Sequence, residues 1–137
     1  MWWIYALLSA FFASLTAIFA KIGVTNVNAN LATAIRTVVI LVVAWGIVLA
    51  RGEAKGLNTL SKHNVLFLVI SGIATGLSWI CYFKALQMGK VSQVAPVDKL
   101  SVALTIILSV VFLGEALTLK TALGALLIVA GTVVLIL

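Results

Sequence analysis

Residues 31–50 read LATAIRTVVILVVAWGIVLA, twenty residues with one ionisable side chain, Arg36, and no proline. A bilayer's hydrocarbon core is about 30 Å thick, and about twenty residues at 1.5 Å rise each are needed to cross it as a helix. The segment reads as a membrane-spanning helix. Working outward, the same signature recurs over about 3–21, 65–86, 91–113 and 119–137, separated by short runs of Gly, Asn and charged residues. The pattern predicts an all-α membrane protein of about five transmembrane helices, with the lipid bilayer as its solvent. Of the 137 residues, 64% are hydrophobic and 9% charged, too few polar groups to clothe a soluble domain.

The net charge of +6 is a feature of nucleic-acid binders when it is concentrated on one face. Here the nine basic residues are scattered at helix ends and loops, so they read as topology signals and no nucleic-acid partner is expected. Alternating helix directions put Lys21, Arg36, Lys84, Lys90 and Lys99 on one side of the membrane and Arg51, Lys55, Lys62 and Lys120 on the other. That near balance is compatible with insertion in both orientations. The start, Met1-Trp2-Trp3-Ile4, lacks the basic region of a signal peptide, so the first helix is expected to be retained, and no soluble tail is expected after the last. The single cysteine, Cys81, is read as a packing residue.

Ionisable groups inside spans are costly and mark functional candidates. Four occur: Arg36, Lys84, Asp98 and Lys99. The lysines are long enough to snorkel to the headgroups, which is their alternative reading. Asp98 cannot, and it lies about two turns into the fourth span. Beyond it Ser101, Thr105 and Ser109 follow at i+3, i+7 and i+11, a polar stripe on a Val/Leu/Ile helix. The third span carries a comparable stripe of Ser71, Thr75, Ser78 and Tyr82, with Trp79 beside it. These hydroxyls either line a cavity or bond their own helix carbonyls, and the aromatics either hold an organic ligand or serve packing and the interfacial belt.

Pro96 removes a backbone donor two residues before Asp98 and predicts a local kink there. Gly72 and Gly76 have the spacing of a helix-packing motif, and Gly124 and Gly131 share a charge-free face suited to docking another helix in a dimer. His63 is the one histidine and the acids number three, with no spacing that suits a metal ion, a phosphate loop or a hydrolytic pair. Neither enzymatic activity nor a cofactor or metal is expected.

The runs Tyr82-Phe83-Lys84-Ala85-Leu86-Gln87-Met88-Gly89, Val91-Ser92-Gln93-Val94-Ala95-Pro96-Val97 and Phe112-Leu113-Gly114-Glu115 resemble the second half of an EamA-like domain of the drug/metabolite transporter superfamily. The resemblance covers the whole chain, and it implies one EamA-like transmembrane domain over residues 1–137. Most members of that family carry two such repeats in inverted orientation, whereas this chain has one. It implies a small-molecule metabolite carrier of the inner (cytoplasmic) membrane, paired as an antiparallel homodimer or with a separate inverted partner.

The Gly124-to-Gly131 strip is similar to the helix-pairing motif of the related small multidrug transporters. Those proteins use an acid in their first helix to exchange protons for lipophilic cations. Here that helix offers only Ser9, Ser14 and Thr16 before Lys21, which argues against cationic drug export. Substrate binding is assigned to Arg36, Thr75, Trp79, Tyr82, Lys84, Asp98, Ser101 and Thr105, with a carboxylate attracted by Arg36 and Lys84 and an amine or coupled proton held by Asp98. The alternative is a non-transporting membrane scaffold, or accessory subunit of a larger complex, whose polar stripes only pack helices.

Overall fold

Three of the helices begin at a side chain that satisfies an amide the helix itself leaves unpaired. The computed structural model describes residues 1–137 and contains helices and turns but no strand. Helix α1 spans Trp2–Gly23, α2 spans Ala29–Ala50, α3 spans Lys62–Met88, α4 spans Val91–Asp98, α5 spans Leu100–Leu113 and α6 spans Leu119–Ile136. Asn28 caps α2, its Oδ1 accepting from the amides of Asn30 at 2.8 Å and Leu31 at 3.4 Å. Ser61 Oγ accepts from the Asn64 amide at 3.1 Å, which is why α3 starts at Lys62, ahead of its apolar run. Thr118 caps α6 through the Thr121 amide at 3.2 Å. At the other end of α5, Gly114 adopts φ +68°, letting the Glu115 amide reach back to the Ser109 carbonyl at 3.3 Å.

Five of the resulting segments are long and apolar enough to cross a membrane, with α4 and α5 together forming the fourth. No more than 6% of the residues in any span's most apolar window are buried within the protein. Their apolar faces are therefore covered by lipid or by another chain.

The chain falls into two units, residues 19–87 and residues 1–18 with 88–137. In the first, the turn after α1 passes through Asn26 at φ 62°, a left-handed conformation that asparagine tolerates. Its end is tied to the end of α3. Gln87 Nε2 donates to the carbonyl of Val24 at 3.2 Å and to that of Val27, and Lys21 Nζ donates to the Leu86 carbonyl. Val24, Ala29, Thr33, Phe83 and Leu86 are buried around this tie. A 3-10 stretch over Glu53–Thr59, entered through Gly52 at φ +67°, connects α2 to α3.

In the second unit α6 packs against α4 and α5. Its contact is polar as well as apolar: buried Thr132 directs Oγ1 toward the carbonyls of Ile128 at 2.8 Å and Pro96 at 3.3 Å. Pro96 lies inside α4, and the fourth span is interrupted three residues further on, at Lys99. There the Lys99 amide is shared between the carbonyls of Ala95 at 3.3 Å and Pro96 at 3.0 Å, and the Val102 amide takes the Lys99 carbonyl at 3.0 Å, so the bonding is partly of 3-10 type.

Two substitutions test these ties. Gln87→Leu removes both bonds to the α1–α2 turn and is expected to lower stability by about 1–2 kcal/mol. Thr132→Val keeps shape and is expected to cost about 0.6 kcal/mol, the average for a hydrogen bond between membrane helices. Both are read from unfolding midpoints in bicelles titrated with a denaturing detergent. An unchanged midpoint means that the tie in question contributes nothing.

Candidate functional site

The arginine of α2 sits seven residues past Ala29, about 10 Å along the helix axis from its start. At that depth the guanidinium rests on rings supplied by α3, 4.4 Å from the Trp79 centroid and 5.4 Å from that of Phe83. Trp79 and Phe83 are four residues apart and so face the same way from α3. No carboxylate neutralises Arg36 in this unit: Glu53 is the one acid among residues 19–87, and it lies 3.9 Å from Arg51 in the connecting loop. The π faces supply the compensating negative potential, and the N–H groups at the guanidinium edge remain available to a ligand. Tyr82 is half-buried beside this cluster, its ring 6.2 Å from Phe83. Thr75 is exposed, but its hydroxyl already donates to the Ser71 carbonyl at 2.9 Å, leaving only acceptor capacity.

Lys84 is placed differently. It is exposed and lines a cavity of about 380 Å³ with Asn28, Ala29, Asn30, Ile80 and Gln87, a wall that includes neither Arg36 nor Trp79.

In the other unit, Asp98 closes α4 at the interruption and pairs with its neighbour, Lys99 Nζ standing 3.5 Å from Asp98 Oδ2. Ser101 and Thr105 follow on α5 with exposed side chains that hydrogen-bond to nothing in the chain, while Ser109 closes onto the Ile106 carbonyl at 2.9 Å. The stripe is thus divided: its first two hydroxyls stand open and its last is taken by its own helix. On α6, a Cβ added at Gly124 or Gly131 meets no atom within 4 Å, and the same holds for Gly72 and Gly76 on α3. The close helix approach that the Gly72/Gly76 spacing predicts is therefore not made within the chain.

Three features went unread in the sequence. Phe83 completes the aromatic bed under Arg36, and its signal was the four-residue offset from Trp79. Thr132 reaches the Pro96 carbonyl, and its signal was a lone hydroxyl deep in an apolar helix. Asn28 and Asn30 meet Lys84 at a cavity between elements far apart in sequence, for which no local signal exists.

No group of three His, Cys, Asp or Glu side chains comes together to hold a metal ion. A family model described as the EamA-like transporter family matches residues 1–137. A protein of Sinorhizobium sp, named as an uncharacterized transporter in a cobO 3'region, is 50% identical over 134 residues, covering 98% of this chain and 95% of that relative. An uncharacterized protein of Methanocaldococcus jannaschii is 31% identical over 81 residues, 59% of each chain. No solved structure matches. With an all-helical chain of five apolar spans matched from end to end, the protein belongs to the EamA-like transporter family of multi-pass membrane proteins.

Proposed function

We propose that the protein is a secondary carrier of small organic metabolites, non-enzymatic, working by alternating access in the cytoplasmic membrane as a pair of inverted protomers. The observation that carries this reading is the interrupted fourth span. A turn of partly 3-10 bonding at Lys99, next to an intramembrane carboxylate and followed by two open hydroxyls, is the kind of discontinuous helix on which carriers build ion and substrate sites. A mid-helix stretch of 3-10 bonding is a place at which helices hinge, and α4 would swing against α5 there.

Each unit then offers one kind of recognition. Arg36 supplies an edge of donors for a carboxylate, with Trp79 and Tyr82 as apolar walls for an organic body. Asp98 takes an amine or a coupled proton once it is released from Lys99, with Ser101 and Thr105 as accessory hydrogen-bond groups. Inverted pairing draws support from the near-balanced basic residues, and from the open Gly124 and Gly131 positions, at which a second helix can approach closely.

Three experiments test the proposal. Single cysteines placed in the Arg51–His63 loop on a Cys81→Ser background are labelled in intact cells and in everted vesicles. Labelling from both sides is expected, and labelling from one side only refutes the inverted homodimer. In proteoliposomes, Arg36→Ala is expected to reduce uptake of carboxylate-bearing metabolites by at least about tenfold. Asp98→Asn is expected to abolish acceleration by an imposed proton gradient. Unchanged uptake in Arg36→Ala excludes an anion-recognising Arg36, and gradient-driven uptake that survives Asp98→Asn removes that residue from coupling. If cysteine probes at Ser101 and Thr105 stay unlabelled from water, the scaffold reading replaces the carrier.

A further inference from the structure

The cavity at Lys84 has a composition that the substrate cluster around Arg36 does not share. Its wall carries a cationic ammonium, Lys84, and three side-chain amides, Asn28, Asn30 and Gln87, over an apolar floor of Ile80 and Ala29. The amides are not equivalent. Asn28 Oδ1 is occupied by the amides of Asn30 and Leu31, so that residue has only its NH₂ to offer. Gln87 Nε2 is occupied by the carbonyls of Val24 and Val27. Asn30 is exposed and its side chain forms no hydrogen bond in the chain. The donors left over are the Lys84 ammonium and the NH₂ groups of Asn28 and Asn30.

No acid lines the cavity. Lys84 itself has neither an ion pair nor a hydrogen bond with the chain. A cation and two neutral donors around one cavity suit an acceptor that is multiply charged and takes bonds from several directions. A tetrahedral oxyanion does so, and an ammonium serves it as a point charge without the planar geometry an arginine demands.

The position narrows the choice further. Asn28 caps the start of α2, and Lys84 lies four residues before the end of α3, about 6 Å inside it. That is the level at which lipid phosphates meet the hydrocarbon, and it is also open to a soluble phosphate arriving from water. We propose that this cavity is a binding site for a phosphate-type oxyanion, with Lys84 as its charge partner and Asn30 and Asn28 as neutral donors. The cavity, at about 380 Å³, leaves room for the ester group carried on the phosphate.

The test measures binding and is independent of transport. The full-length protein in neutral detergent is titrated at constant ionic strength with inorganic phosphate and, separately, with short-chain phosphatidylglycerol, while its thermal unfolding midpoint is followed. A saturable rise is expected for at least one probe. The apparent affinity is expected to fall by about tenfold or more in Lys84→Gln. It is expected to fall likewise in Asn30→Asp, which leaves the lysine in place but sets a carboxylate against the oxyanion. A response to phosphatidylglycerol alone identifies a lipid headgroup as the source, and a response to inorganic phosphate identifies a soluble oxyanion. If neither probe saturates, or if both variants respond like the unmodified protein, the proposal is overturned.

Discussion

A backbone amide or carbonyl in hydrocarbon has no water to turn to, and leaving it unpaired costs several kcal/mol. Nearly every choice in this chain follows from that constraint. It forces the five spans into helices, whose own bonds consume their polar backbone, and it makes the ends of those helices the points at which side chains matter. Asn28, Ser61 and Thr118 each sit just ahead of a span and each satisfies an amide there. The same constraint explains why so many hydroxyls turn inward on their own helix. Thr33, Thr37 and Thr75 all donate to the carbonyl four residues back, at 2.8, 2.8 and 2.9 Å. Thr132 makes the same bond to Ile128 and leans across to the Pro96 carbonyl as well, while Ser101 and Thr105, in the one span whose ladder is interrupted, bond to nothing in the chain.

That contrast also marks how far the sequence could be read. Spans are legible because length and hydropathy are additive along the chain, and the five-helix architecture follows from counting apolar runs between Lys21, the Arg51–Asn64 connection, Lys90 and Lys120. Intramembrane charges are equally legible, since Arg36 and Asp98 are conspicuous among aliphatic neighbours. What a linear reading cannot supply is the partner. It placed Arg36 among candidate substrate contacts without showing that Trp79 and Phe83 lie beneath it. It grouped Lys84 with Arg36 by charge, although Lys84 lines a cavity with Asn28 and Asn30, more than fifty positions earlier in the chain. The interruption at Lys99 is intermediate: Pro96 announces an irregularity, but where it falls depends on how the next turn re-pairs its amides.

Tying the end of α1 to the end of α3 has a mechanical side as well. Gln87 and Lys21 bind carbonyls, which every residue possesses, so these ties depend on chain geometry and not on a matched partner side chain. They hold the α1–α2 turn against α3 at the end where Asn28 starts its helix. The tie at that end and the re-paired turn at Lys99 are two outcomes of one rule, that carbonyls freed from a helix must be paired by whatever donor lies within reach.

The arginine on its bed of rings has an electrical consequence. A charge moved across the full membrane potential changes energy by about 2.3 kcal/mol per 100 mV, and a cation neutralised only by π faces keeps its whole charge in that field. Arg36 is such a cation, whereas Asp98 and Lys99 form an adjacent pair whose charges cancel. Any displacement of Arg36 along the membrane normal is therefore voltage-sensitive, and displacement of the pair is not. In the proposed pair of inverted protomers, an exchange of conformations reverses the displacement of one arginine in its own frame, and the inverted orientation reverses it again. The two displacements therefore add along the membrane normal, and the exchange itself is voltage-sensitive. Over a complete cycle both arginines return to their starting depths, and the net charge moved is that of the cargo.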